Sequence, residues 1–109
     1  MKAMMCLVSR QAMPNLLPVL MFKPDIVYLL STKEEKQCAI HLRNVFHNNQ
    51  ITTQIISNID AYNGDTVQEI MSKILNQQEA EFLVNVTGGT KLMSLAAYQI
   101  ANECALQAL

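Results

Sequence analysis

The segment Thr87-Gly88-Gly89-Thr90-Lys91 gathers the groups with which a protein holds an anion. Two glycines let the backbone take positive φ and bring its N–H groups close to a ligand. Thr87 and Thr90 offer hydroxyl donors, and Lys91 adds a full positive charge. The segment joins an apolar stretch, Phe82 to Val86, to a helical pattern that opens at Lys91. It therefore ends on a helix N-terminus, whose free N–H groups and partial positive charge suit a phosphate. A plain tight turn with Thr90 as helix cap would show the same signals, and the local pattern leaves both readings open. Two of the chain's three glycines lie here, which favours a small phosphate-bearing ligand. The segment is not a Walker A loop, which needs a glycine, four residues and then Gly-Lys-Ser/Thr. Nor is it the dinucleotide fingerprint. That belongs after the first strand, where this chain has Ser9-Arg10-Gln11-Ala12-Met13 and no glycine. NAD binding and ATP hydrolysis are both disfavoured.

Ser9 and Gln11 follow the first apolar stretch and are placed to face the Thr87–Lys91 loop, where they could hydrogen-bond a base or a ribose. An ordinary polar loop would look the same. Two patterns imitate nuclease chemistry. Asp25, Glu34 and Lys36 echo a PD-(D/E)xK site, which holds its Glu and Lys on one strand face toward a metal. Here Glu34 and Lys36 fall in the first turn of a predicted helix, where residues two apart share no face. Arg43 and His47 stand one helical turn apart and read as solvated. His41 and His47 lack partner ligands, so no metal site is expected, and no cofactor. Cys6, Cys38 and Cys104 have no metal spacing; Cys6 and Cys104 lie in apolar runs and read as small core residues.

Apolar stretches at Met4 to Val8, Ile26 to Leu30, Ile51 to Ile56 and Phe82 to Val86 alternate with helical patterns. The third stretch is the most polar and is placed at a sheet edge. Asn15 is expected to cap the first helix, with Pro18 in its first turn. Thr32 to Glu35 reads as a capping box, as does Asp65 to Gln68. Val67, Ile70, Met71, Ile74 and Leu75 carry the clearest helical spacing. The last helix, from Lys91 toward the C-terminus, has apolar residues on nearly every side and is expected to be buried nearly all round. Strands alternating with helices imply an α/β, Rossmann-like three-layer sandwich with a mainly parallel sheet in the order 3-2-1-4. In such sheets ligands bind beyond the C-terminal strand ends at the point where the order reverses. That rule selects the loops Ser9 to Pro14 and Thr87 to Lys91.

Composition sets the outer limits. The 109 residues, half of them hydrophobic, suffice for one core. The formal net charge of -1 argues against direct binding of long nucleic acid, which needs many cations to displace counterions. It leaves room for one anionic small molecule. No apolar run is long enough to cross a bilayer, so no membrane partner is expected, and unpaired thiols fit a reducing cytoplasm.

The stretch Asn85-Val86-Thr87-Gly88-Gly89-Thr90-Lys91-Leu92-Met93-Ser94-Leu95-Ala96-Ala97 closely resembles the signature of CRISPR-associated Rossmann-fold (CARF) domains. Val8-Ser9-Arg10-Gln11-Ala12-Met13-Pro14-Asn15 and Leu30-Ser31-Thr32-Lys33-Glu34 resemble the branch fused to PD-(D/E)xK-type nucleases of type III CRISPR systems. The resemblance implies a homodimer that binds a cyclic oligoadenylate, usually cyclic tetra-adenylate, across its two-fold axis. It places Thr87, Gly88, Gly89, Thr90 and Lys91 on phosphate and ribose, Ser9 and Gln11 on the same ring, and Thr32 beside an adenine. It implies a sensor for an effector nuclease, with no catalytic residue of its own. The alternatives are a ring nuclease, with Ser9 and Lys91 as the candidate residues, and the sensor of a transcription regulator. CARF domains normally continue with further strands and an effector domain, so residues 1–109 are expected to be a single, partial domain.

Overall fold

The computed structural model describes residues 1–109. Strands and helices alternate: β1 (Lys2–Leu7), α1 (Met13–Phe22), β2 (Ile26–Leu30), α2 (Lys36–Asn48), β3 (Thr52–Ile56), α3 (Gly64–Gln77), β4 (Glu81–Asn85), α4 (Lys91–Glu103) and β5 (Gln107–Ala108). The sheet has the order β3-β2-β1-β4-β5, and every neighbouring pair is parallel. The chain steps outward from β1 through β2 to β3, then returns across the sheet to β4 on the other side of β1. This reversal sends α1 and α2 to one face and α3 and α4 to the other. Met4, Cys6 and Val8 pack toward α1 and α2, while Ala3, Met5 and Leu7 pack toward α3 and α4. A strand covered on both faces has no polar side to show, hence its continuous apolar run. β3 pairs only with β2, and its Thr52 and Gln54 are exposed, as its polar character indicates.

The helix starts depart from the sequence reading. α1 begins at Met13, two residues before Asn15, with Pro14 in the first turn and Pro18 inside the helix. Asn15 is fully buried and caps nothing. Its Nδ2 donates to the Leu7 carbonyl at 2.9 Å, because the carbonyl at the end of β1 needs a donor that the loop backbone does not supply. The Thr32–Glu35 capping box does not form. Thr32 is buried, its carbonyl accepts from Glu35 N–H at 3.2 Å in a single turn, and α2 starts at Lys36 without a side-chain cap. α3 is capped by Asn63, two residues ahead of Asp65, through Asp65 N–H donating to Asn63 Oδ1 at 3.0 Å. The earlier start places Gly64 against α4, where a Cβ would stand 3.1 Å from Ala96 Cβ.

α4 starts at Lys91 as expected but is not buried all round. Met93, Ala96, Ala97, Ile100 and Ala101 face the sheet and α3, while Leu92, Leu95 and Tyr98 are exposed. One sheet face and one neighbouring helix cover only part of a helix surface, so its outward residues meet solvent whatever their type. The helix ends at Glu103, the chain reverses through Ala105 at φ 54°, and β5 joins β4 in parallel, Leu83 opposite Gln107 and Val84 opposite Ala108. Four strands were expected; the fifth is two residues long and too short to show a period. Cys104 sits exposed at the helix end, not in the core. No helix is long and apolar enough to cross a membrane.

Candidate functional site

Because β1 and β4 are neighbours, the loops that leave their C-terminal ends lie side by side, and one buried residue ties them together. Asn85, the last residue of β4, is fully buried. Its Nδ2 donates to the Pro14 carbonyl at 2.7 Å and approaches Asn15 Oδ1 at 3.4 Å. Its Oδ1 accepts from Thr87 N–H at 3.1 Å and from the Thr87 hydroxyl. Pro18 explains why the Pro14 carbonyl is free. In a helix that carbonyl accepts from the N–H four residues on, and proline has none. Asn85 thus fills a vacancy that a proline in another element creates. Cys6 lies at the same junction. Burial pushes its thiol up to about 12, against a smaller lowering by its hydrogen bond with Asn85, so it is no nucleophile near neutral pH.

The loop Thr87–Thr90 is shaped by its glycines. A Cβ on Gly88 would stand 2.0 Å from the Leu7 carbonyl oxygen, so only glycine lets this loop rest on the end of β1. Gly89 takes φ 76°, a conformation costly for other residues. Thr90 caps α4: its Oγ1 accepts from Met93 N–H at 3.2 Å and donates to the Ala61 carbonyl at 2.9 Å. The cap reading of this segment therefore holds, and it does not exclude an anion. The N–H groups of Gly88, Gly89 and Thr90 take part in no hydrogen bond within the chain, and Lys91 is exposed at the start of α4. Free donors and a cation at a helix N-terminus can receive a phosphate.

Beside this loop, at the C-terminal edge of the sheet, an open cleft of about 520 Å³ is walled by three segments. Ser9 and Arg10 come from the β1–α1 loop, Thr32 to Glu35 from the β2–α2 turn, and Asn58 to Tyr62 from the β3–α3 loop; Gly89, Thr90 and Met93 close the end nearest α4. Of the residues expected from sequence, Ser9, Thr32, Gly89 and Thr90 line the cleft. Thr87, Gly88, Lys91 and Gln11 do not. Thr87 is turned onto Asn85 and Pro14, Gly88 is buried under the loop, and Lys91 and Gln11 are exposed outside the cleft. Ser9 Oγ donates to the Gln11 carbonyl at 3.1 Å. Arg10 reaches Glu35 at 3.4 Å, joining the first and second walls.

Sequence reasoning missed Asn85 as the joint and Asn58 to Tyr62 as a wall. The switch-point rule names only the loops of β1 and β4, yet in an all-parallel sheet every strand ends on the same edge. The loop after β3 was therefore available to the same reasoning. Glu34, Lys36, Arg43 and His47 are all exposed, and no three of the chain's His, Cys, Asp and Glu side chains form a group that could hold a metal ion.

The fold recurs in known proteins. Can2 from Sulfobacillus thermosulfidooxidans, solved in complex with cyclic tetra-adenylate, is 31% identical, with a TM-score of 0.85 over 99% of this chain and 31% of that one. A type III CRISPR defence DNA nuclease activated by cyclic oligoadenylate shares the fold at 22% identity and a TM-score of 0.81, over 97% of this chain and 18% of that one. Protein VC1899 from Vibrio cholerae shares it at 14% identity and a TM-score of 0.79, over 98% of this chain and 30% of that one. The chain thus spans less than a third of the length of each. No curated protein sequence matches it. The family profile described as the Card1 CARF domain matches residues 3–108, and the chain belongs to that family of CRISPR-associated Rossmann-fold domains.

Proposed function

We propose that the chain is the cyclic tetra-adenylate-sensing domain of a cytoplasmic type III CRISPR effector nuclease. One observation carries the reading. In the loop Gly88–Thr90 three N–H groups have no partner in the chain, those of Gly89 and Thr90 belong to residues that line a cleft at the switch point of the sheet, and Lys91 stands exposed beside it at the head of α4. The likeness to Can2, solved with cyclic tetra-adenylate, supports that ligand. The phosphate and ribose fall to Thr87, Gly88, Gly89, Thr90 and Lys91, with Ser9 and Gln11 approaching the same ring and Thr32 standing beneath a base. A ring of repeated chemistry fits a two-fold site, in which two copies present the same loop to opposite halves. The exposed Leu92, Leu95 and Tyr98 of α4 offer an apolar face for that pairing. The ring-nuclease reading is not favoured. Ser9 Oγ is engaged with its own loop, and the cleft is lined by no imidazole to act as base.

Calorimetric titration with cyclic tetra-adenylate tests the reading. Lys91→Ala is expected to weaken binding at least tenfold, as loss of a charge-assisted bond worth about 1.5–3 kcal/mol implies. Lys73→Ala, on the exposed face of α3, is expected to leave it unchanged. Equal effects of the two would remove the Thr87–Lys91 loop as the site. Light scattering of the unliganded protein tests the pairing, and a Leu95→Glu variant that stays dimeric would place the interface elsewhere.

A further inference from the structure

The cleft has two chemically different ends. At the α4 end stand unpartnered N–H groups, with Lys91 close by in sequence. The β3–α3 wall from Ser57 to Asn63 carries no cation and one carboxylate, Asp60. A phosphate is repelled by that wall, whereas a neutral base with an exocyclic amino group is not. Tyr62 lines the same wall and is 88% exposed. A phenol ring left almost wholly in water contributes nothing to the core, and its loop is nevertheless held in place. Tyr62 N–H donates to Asp60 Oδ1 at 2.9 Å, Asp60 N–H donates to Thr66 Oγ1 at 3.3 Å, and the Ala61 carbonyl accepts from Thr90 Oγ1. The last of these bonds fixes the tyrosine loop directly to the residue that caps the phosphate-facing helix.

We infer that Tyr62, Asn58 and Asp60 form a purine-base subsite in which Tyr62 stacks on the base and Asn58 and Asp60 read its amino edge. The inference rests on the proposed ligand. An exposed aromatic face is a stacking platform for any base. A carboxamide can pair with the N6 amino group and N7 of adenine, which present a donor beside an acceptor. Asp60 has only acceptors to offer and so selects the amino group of adenine against the oxygen at the same edge of uracil. The bond from Thr90 to Ala61 sets the distance between the phosphate loop and the base wall, so that a nucleotide spans them as a unit.

The experiment is titration of the protein with cyclic tetra-adenylate, followed by calorimetry and by tyrosine fluorescence, with cyclic tetra-uridylate as the comparison. Tyr62→Ala is expected to weaken binding about tenfold without lowering the melting temperature, and to abolish most of the quenching that the ligand causes. Tyr62→Phe keeps the ring and is expected to bind within about threefold of the parent. Asn58→Ala is expected to narrow the preference for the adenylate ring over the uridylate ring. Parent-like affinity and quenching in Tyr62→Ala, alongside a weakened Lys91→Ala, would overturn the base subsite and leave the phosphate loop standing. Absence of binding by the parent protein would overturn the ligand reading and the subsite with it.

Discussion

The two loops at the switch point are held by opposite means. The loop Thr87–Thr90 is set mainly by its own residues: Gly88 fits because it has no Cβ, Gly89 takes positive φ, and Thr90 caps the helix that follows. The loop from Ser9 to Ala12 contains no glycine and no cap. Apart from the bond of Ser9 Oγ to the Gln11 carbonyl, it is held at a distance, by Asn85 on the Pro14 carbonyl, by Asn15 on the Leu7 carbonyl and by the pairing of Arg10 with Glu35. A loop specified locally keeps its shape while its neighbours change. A loop specified remotely moves when any of its anchors goes. The first is suited to holding a constant group such as a phosphate, and the second to adjusting around the rest of a ligand.

The largest effect is expected from Gly88→Ala. The added methyl meets a backbone carbonyl, which cannot rotate away as a side chain would, so the loop must lift from β1. A loss of about 3 kcal/mol in chemical denaturation is expected, together with loss of ligand binding. Wild-type stability would mean that the loop is as adjustable as its partner, and the contrast between them would fall. Asn85→Ala comes next. It leaves the Thr87 N–H without its partner and the Pro14 carbonyl with only the Thr87 hydroxyl at 3.4 Å, in a half-buried place, a cost of about 1 kcal/mol. It should loosen the Ser9–Ala12 loop more than the glycine loop, which amide hydrogen exchange would resolve.

Thr90→Val keeps the shape of the side chain and removes its hydroxyl. The α4 cap and the bond to Ala61 are both lost, for about 1 kcal/mol, and the loops after β3 and β4 are uncoupled. A normal melting temperature with normal ligand affinity would show that the bond to Ala61 positions nothing. Arg10→Ala is expected to do least. The Arg10 side chain is 91% exposed, and a surface pair of this kind contributes below about 0.5 kcal/mol. Any effect should appear in binding, as a faster ligand off-rate, and a clear drop in stability would show the β1–α1 loop to be anchored chiefly by its charge.

The sequence alone specified what depends on near neighbours. The four main strands and the edge position of β3 follow from runs of apolar residues, because parallel strands buried on both faces leave no room for polar ones, and the order 3-2-1-4 goes with the Rossmann-like class that their alternation with helices implies. The glycine loop and its helix start were visible for the same reason, since φ preference and capping act within a few residues. What required the fold was every assignment in which a distant partner won. Asn15 has the right type for a cap, yet a strand-end carbonyl eight residues back claims its side chain. The Thr32–Glu35 box has the right spacing, yet Thr32 is drawn into the buried wall of the cleft and Glu35 toward Arg10. Asn85 receives its role from Pro18, sixty-seven positions away in the chain, by way of a carbonyl that only the helix geometry leaves free. Tyr62 and Asn58 reach the cleft because the sheet is parallel and brings all its strand ends to one edge. Hydrogen-bond vacancies and shared edges are properties of packed elements, and no local pattern records them.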